Sequence, residues 1–262
     1  MKSDTLRVPG ATLHYELRGG GPLLVLVGAP MGTRFLNPLA DLLAADHTVL
    51  TTDPRGIGAS VLDDPESDST ADRRADDVAA LIARVDGGPA AVFGTSGGAV
   101  TALALAQRHP AAVHTVIAHE PPINDVLPDR DERNAAIEDI IATYEAGDVP
   151  GAWKKFMVNA GVTEQQGPPP GPPDAQQIAD ERHWFRHEMR GTTYFRPDVE
   201  ALRAVRVLIG LGEDSAGQLL DRTSHAMAAL LGTTPISFPG GHIAFVLDPP
   251  GFADRLREIL RS

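Results

Sequence analysis

The chain predicts an α/β protein: a mostly parallel sheet with helices on both faces, interrupted by a helical insertion. Three observations carry this expectation. Apolar strand-like runs alternate with helical stretches up to about residue 122 and again from 203 onward. Leu23-Leu24-Val25-Leu26-Val27 is continuously apolar, as strands buried on both faces are. Between 123 and 202 the alternation stops, and helical patterns appear with no clear strand. The expected organisation is a core of residues 1–122 and 203–262 with a helical lid at 123–202.

In order, Thr12–Leu17 alternates and predicts an edge strand closed by Gly19-Gly20-Gly21-Pro22. Leu23–Val27 is followed by the loop Gly28–Thr33 and a helix from about Phe35 to Ala45. His47–Thr52 is the next strand, and it delivers Asp53-Pro54-Arg55-Gly56-Ile57-Gly58-Ala59-Ser60. An acidic loop leads to a helix over about Ala71–Val85. Ala90–Thr95 is a strand, and the helix after Ser96 ends near His109-Pro110. Val113–Ala118 is a further strand, ending at His119-Glu120-Pro121-Pro122. Helical patterns then cover about Arg130–Ala146, Val149–Ala160 and Ala175–Met189. The proline-rich stretch Gln166–Pro173 lacks donors and has fixed φ, so it predicts a loop or stiff linker. Arg206–Leu211 resumes the parallel pattern, followed by a helix over about Gln218–Leu231. Pro235–Phe238 is the last strand, and Pro250–Arg261 a terminal helix with Phe252, Leu256 and Leu260 on one side.

Composition narrows the function classes. The formal charge of −12 argues against nucleic acid or an anionic membrane surface as partner. The absence of cysteine removes disulfides, thiolate metal sites and a cysteine nucleophile. Residues 1–7 carry no apolar signal-peptide core, and no run approaches the ~20 apolar residues of a membrane span, so a cytoplasmic location is expected. Gly19-Gly20-Gly21-Pro22 lacks the Lys-Ser/Thr of a phosphate-binding loop. The expected partner is a small-molecule substrate, with no cofactor.

The chemistry centres on Ala91-Val92-Phe93-Gly94-Thr95-Ser96-Gly97-Gly98-Ala99-Val100, an apolar strand, a G-x-S-x-G turn and a small-residue helix start. Such a turn is tight, and it presents the serine hydroxyl at a helix N-terminus, where free N–H groups favour developing negative charge. In a parallel sheet, ligands bind beyond the C-terminal strand ends. Ser96, the 28–33 loop and Glu120 all fall at such ends.

Taken together, the chain resembles the α/β-hydrolase fold family. The resemblance rests on the N-terminal hairpin, Gly28-Ala29-Pro30, Asp53-x-Arg55-Gly56-x-Gly58-x-Ser60, Gly94-x-Ser96-x-Gly98, and Gly241-His242 before the last helix. It implies a Ser–His–acid triad with Ser96 as nucleophile and His242 as base. It implies oxyanion donors in the backbone N–H groups of Ala29 and Gly97. The family often has histidine before the glycine of that loop, where Val27 stands. Related dehalogenases and epoxide hydrolases use aspartate at the elbow, so Ser96 points to acyl transfer. The expected activity is a carboxylesterase or lactonase acting on a small-to-medium, largely uncharged ester, lactone or related acyl substrate. A cofactor-free perhydrolase, lyase or C–C hydrolase is the alternative, or a binder of a small ligand without turnover.

The acid stays open. The family usually offers Gly-x-x-Asp after the penultimate strand, and here that spacing lands on Ser215 in Gly212-Glu213-Asp214-Ser215. Asp214 stands one residue early, Glu120 follows the strand after the nucleophile helix, and Glu213 is a third choice. Both Asp214 and Glu120 keep the chain order nucleophile, acid, base. His119 is the rival base, but it reads better as a packed or hydrogen-bonded residue. Asp53 and Arg55 read as a structural clamp. His183 and His187 have helical i, i+4 spacing without a third ligand, so no metal is expected. Met31, Trp184, Phe185 and Tyr194, with Phe195, are candidates for an apolar substrate pocket, with packing of the lid's own core as the alternative.

Overall fold

The computed structural model describes residues 1–86, 88–161 and 172–261. Most of the proline-rich stretch, residues 166–171, therefore lies outside the described residues. The strands are β1 (Lys2–Val8), β2 (Ala11–Gly19), β3 (Leu23–Val27), β4 (Thr48–Thr52), the short β5 (Val61–Leu62), β6 (Ala90–Thr95), β7 (Val113–His119), β8 (Arg206–Gly212) and β9 (Ile236–Phe238). They form one sheet in the order β1-β2-β4-β3-β6-β7-β8-β9, with β5 paired to β2. From β4 to β9 every neighbouring pair is parallel, while β1/β2 and β2/β4 are antiparallel.

One strand assignment is corrected. Thr12–Leu17 is not an edge, because β1 pairs along it from Lys2 opposite Leu17 to Val8 opposite Ala11. The sequence hides β1 because most of it is exposed and carries Lys2, Asp4 and Arg7, the charge that protects an outer strand from pairing with other chains.

The helices are α1 (Thr33–Leu43), α2 (Ala71–Arg84), α3 (Gly97–Arg108), α4 (Arg130–Glu145), α5 (Val149–Ala160), α6 (Ala175–His183), α7 (Met189–Thr193), α8 (Val199–Arg203), α9 (Leu219–Leu231), α10 (Ala244–Leu247) and α11 (Pro249–Arg261). Side chains alternate across the strands and sort into two layers. Leu24, Leu26, Phe93, Ile117 and Phe238 pack with Leu36, Leu39 and Leu43 of α1 and Phe252 and Leu256 of α11. Leu23, Val25, Val27, Val92 and Val116 pack on the opposite face with Val78 and Leu81 of α2, Val100 and Leu103 of α3, and Met227 of α9. Each fully buried Leu or Phe contributes about 1.5–3 kcal/mol of transfer free energy to this arrangement. Residues Gly97 through Ala106 of α3 are all buried, so the helix that starts at Ser96 is enclosed on every side. Small side chains permit this, since six of its first ten positions are Gly or Ala.

Between β7 and β8 the helical insertion has its own apolar cluster, with Ile137, Ile140 and Ile141 of α4, Ala152 of α5, and Trp184, Phe185 and Met189. Asp174 opens α6 with a capping box, its side chain accepting from the Gln177 N–H while Gln177 returns a bond to the Asp174 N–H. The expected helix over Ala175–Met189 is interrupted: α6 ends at His183, and Trp184–Glu188 forms a π-helical turn before α7. The final helix before β8, α8, places Leu202 in the sheet's own core.

Glu188, at the end of the π-helical turn, is 1% exposed and its carboxyl has no hydrogen-bond partner among the described residues. Burial pushes its pKa up to about 6, against the pull of Arg74 and with the push of Asp180. A folded pKa above the unfolded value gives stability present below about pH 4.5 and lost as pH rises through about 6. Glu188→Gln is therefore expected to raise the denaturation midpoint at pH 8 and to leave it unchanged at pH 4.5. A urea titration at the two pH values checks this, and an equal shift at both would show that ionisation of Glu188 is not the cause.

Candidate active site

Strand β6 ends one residue before Ser96, which has φ 56° and ψ −126° and is the N-cap of α3. This left-handed backbone costs a non-glycine residue of order 1–3 kcal/mol. The surroundings hold it there: Ser96 N–H donates to the His119 carbonyl at 3.0 Å, and the Ser96 carbonyl accepts from Ala99 N–H at 2.9 Å. Glycine is required at Gly98, where a Cβ would stand 2.0 Å from the Val27 carbonyl oxygen, and at Gly94, where it would stand 2.2 Å from the Gly98 oxygen. The turn is thus pressed against the end of β3. A Cβ on Gly97 would lie 2.6 Å from the Ala29 carbonyl oxygen, so the Gly97 and Ala29 backbones are in contact. Neither the Gly97 nor the Ala29 N–H has an acceptor among the described residues.

Register brings the remaining groups to the same sheet edge. Thr95 is opposite His119, and His119 is opposite Gly210, so Ser96 and Glu120 leave adjacent parallel strands at the same level. Glu120 also has a positive φ of 52°, and its N–H donates to the Gly210 carbonyl at 3.0 Å. Its carboxylate is fully buried. One oxygen accepts from Gly212 N–H at 2.9 Å, and the other lies 2.6 Å from Nδ1 of His242. Burial alone would raise this carboxyl, but the His242 hydrogen bond, the His119 and His242 rings and the Ser215 hydroxyl hold it down at about 2. An ionised carboxylate only accepts, so the His242 Nδ1–H is the donor of this bond and Nε2 is the ring nitrogen left outside it. The His242 side chain is 23% exposed, so that nitrogen is within reach of a ligand.

The structure brings His242 to Glu120 and not to Asp214. Asp214, the other expected acid, makes no such contact with His242 among the described residues: Glu213–Ser215 turns as a 3-10 helix, Asp214 is exposed, and its N–H donates to the Gly240 carbonyl at 3.0 Å. Glu213 is also turned away, accepting from the Ser237 hydroxyl at 2.7 Å. Ser215, on which the family spacing lands, is the buried member of the turn. His119 is buried and neutral, with burial pushing its pKa down to about 4. Its ring hydrogen-bonds the Thr95 hydroxyl at 3.1 Å and stacks parallel to the His242 ring with centroids 6.3 Å apart.

Donor atoms of His119, Glu120 and His242 lie within 4.8 Å of one another, which meets the spacing of a metal-ligand group. Both Glu120 oxygens already have N–H partners, which fits an acid–base pair better than a cation cage. His183 and His187 are separated by ring centroids 5.4 Å apart, and His187 Nδ1 is taken by Asp68 at 3.2 Å. Asp53 and Arg55 are clamps. Asp53 accepts from the N–H and hydroxyl of Thr33 and from Ala59 N–H, and Arg55 forms a buried bidentate pair with Asp77 at 2.6 and 2.7 Å.

The expected aromatic pocket is also revised. Phe185 is fully buried and stacks on Tyr144 at 4.4 Å. Trp184 packs on Trp153 and Phe156 at 5.0 and 4.8 Å, and the Tyr194 hydroxyl donates to Glu138 at 2.7 Å. Phe195 is buried in the sheet's core. Their apolar area is spent on packing within the protein. Met31, half-buried, is the pocket candidate that lies beside the Gly28–Ala29 loop.

The chain is similar to known proteins along most of its length. Residues 23–255 match the model of the alpha/beta hydrolase family. The chain is 30% identical over 272 residues to the uncharacterized hydrolase YraK of Bacillus subtilis (strain 168), covering 100% of this chain and 97% of that protein. It is 32% identical over 164 residues to zearalenone hydrolase of Bionectria ochroleuca, covering 58% of this chain and 61% of that one. The solved structure of E-2-(acetamidomethylene)succinate hydrolase superposes with a TM-score of 0.67 at 27% identity, covering 100% of this chain and 99% of the other. With the parallel sheet, the strained serine turn and the His–Glu pair at one edge, the chain belongs to the alpha/beta hydrolase family and is a hydrolase.

Proposed function

We propose that the protein is a serine hydrolase acting on a small-to-medium, largely uncharged ester, lactone or related acyl substrate, through a Ser96–His242–Glu120 triad. The observation that carries this reading is the 2.6 Å bond from His242 Nδ1 to the buried Glu120 carboxylate, one strand along from the strained Ser96. Apolar surface at the site supports an uncharged substrate, since Met31 borders the oxyanion loop and Ile243, directly after His242, is 40% exposed. The net charge of −12 also disfavours anionic substrates.

In the proposed cycle Ser96 Oγ attacks the acyl carbonyl as His242 Nε2 takes its proton. Glu120 stabilises the imidazolium and keeps the ring in the tautomer with Nδ1 protonated. The oxyanion accepts from the free N–H groups of Gly97 and Ala29, donors of the kind whose loss costs about 3 kcal/mol in serine hydrolases. His242 then protonates the leaving alcohol, and an acyl-Ser96 intermediate remains. Water attacks it with His242 again as base, which releases the acid and restores Ser96.

Ser96→Ala and His242→Ala are each expected to lower p-nitrophenyl acetate hydrolysis by about 10⁴-fold or more with the fold intact. Intact mass after fluorophosphonate treatment should show one phosphonyl adduct on the wild type and none on Ser96→Ala. Turnover that survives either substitution would sink the triad.

Glu120→Gln should cost about 10³–10⁴-fold in kcat, because it loses the charge and misorients the tautomer, while Asp214→Asn should stay within about twofold. Placing a carboxylate at the family's usual position, Ser215→Asp in the Glu120→Gln background, should recover part of the lost rate. Steady-state kinetics on the three variants decides between the acids, and the reverse ranking would make Asp214 the acid.

Glu120, held at about 2 against an ordinary value of 4.5, gives stability that is present above about pH 4.5 and lost as pH falls toward 2. The denaturation midpoints of wild type and Glu120→Gln should therefore differ at pH 7 and converge as the pH is lowered. A gap of constant size down to pH 3 would count against an ionised Glu120.

A further inference from the structure

Arg74, on α2, is a cation buried at 2% exposure. Among the described residues its guanidinium makes no hydrogen bond to a carboxylate; its bonds there go to neutral groups. Nε–H donates to the Thr101 hydroxyl oxygen at 2.9 Å, Nη1 to the Ser69 carbonyl and, at 3.3 Å, to the Ser69 hydroxyl, and Nη2 to the Thr192 hydroxyl of the insertion at 2.8 Å. Thr101 passes the contact on, its hydroxyl donating at 3.1 Å to the carbonyl of Gly97. The acids whose fields reach Arg74 are Glu188 and Asp77, and Asp77 is already engaged by Arg55. A cavity of about 10 Å³ is walled by Arg74, Thr101 and Gly28 together with Asp53 and Asp77. Arg74 and Thr101 thus stand behind both the start of α3 and the loop that carries Ala29.

A buried charge that lacks a bonded counter-ion is less favourable than apolar packing of the same volume, so stability alone does not account for this residue. Arginine stays protonated even there. Gly97, to which the contact leads, has an unpaired N–H, and glycine has the widest backbone freedom. That N–H lies in the Ser96–Gly97 peptide, whose Ser96 carbonyl accepts from Ala99 and Val100 N–H at 2.9 and 3.3 Å, while the carbonyl bound by Thr101 lies in the next peptide, so the Arg74–Thr101 chain acts on the first turn of α3 and on the field at its N-terminus. We propose that Arg74, acting through Thr101, is a positioning residue that holds the first turn of α3 and adds positive potential at its N-terminus, where the oxyanion would form. This rests on the proposed role of the Gly97 N–H as an oxyanion donor.

The test is steady-state hydrolysis of p-nitrophenyl acetate by wild type, Thr101→Val, Thr101→Ser, Arg74→Gln and the Thr101→Val/Arg74→Gln double variant. Active sites are counted by fluorophosphonate labelling and melting is followed in parallel. Loss of an interaction used in the transition state lowers kcat and kcat/KM together. Thr101→Val is expected to lower both by roughly tenfold per labelled site, and Thr101→Ser, which keeps the hydroxyl, to restore them. Arg74→Gln should lower both similarly, and the double variant should be no worse than the poorer single one. The proposal is overturned if Thr101→Val and Arg74→Gln melt earlier but turn over normally per labelled site, or if Thr101→Ser is as slow as Thr101→Val. Should Arg74→Gln fail to fold, the Val/Ser pair at Thr101 decides alone. A wild type that neither labels nor turns over would defeat the triad and this proposal with it. A labelled, active wild type with normal variants would defeat the Arg74 role only.

Discussion

A carboxylate shut away from water, Glu120, sets the terms for the C-terminal edge of the sheet. Removing such a charge from solvent costs several kcal/mol unless donors surround it. The chain supplies them from two strand ends: the N–H of Gly212, the last residue of β8, and the His242 ring after β9. The two strand ends are thus held in mutual register by the charge they share. Gly212 shows how tight this is, since a Cβ there would stand 2.6 Å from the Gly240 oxygen and 3.1 Å from Glu120 Oε1. The same network leaves one nitrogen of His242 basic and its ring oriented, which is what acid–base chemistry at a serine requires.

Strain on either side of this network is concentrated at two residues. Ser96 and Glu120 both hold left-handed backbone, at the ends of neighbouring strands. His119 lies between them: its carbonyl holds Ser96, its ring backs His242, and Glu120 follows it in the chain. The ring is packed on Phe93, Phe238 and Phe252, so the aromatic core beneath the sheet edge braces the polar groups above it. Rigid packing of this kind is what lets strained residues persist.

The helical insertion is joined to the core by apolar contacts of Ile123, Phe195 and Leu202 and by polar ones. Asp180 accepts from Gly58 N–H at 2.9 Å, Thr192 from buried Arg74, and Arg222 of α9 pairs with Asp129 at 2.6 Å. Glu66, in the acidic loop after β5, pairs with Arg182 and Arg186. Trp184 and Phe185 pack in the insertion's own cluster, whereas Phe195 packs in the sheet's core.

The amino-acid sequence by itself determined the layers and the serine turn at Ser96. Continuous apolar runs such as Leu23–Val27 report burial on both faces, and Gly94-x-Ser96-x-Gly98 reports a turn in which only glycine fits, so both are local properties. Strand β1 escaped because a charged outer strand carries little apolar pattern, and the break after His183 escaped because a π-helical turn keeps helical periodicity on either side. Tertiary structure alone decided the partner of His242. Asp214, Glu213 and Glu120 are all acids at strand ends, and no local pattern ranks them. What separates them is which side chain is turned inward once β7, β8 and β9 lie in register, and that depends on pairings between residues more than one hundred positions apart, as Glu120 and His242 are.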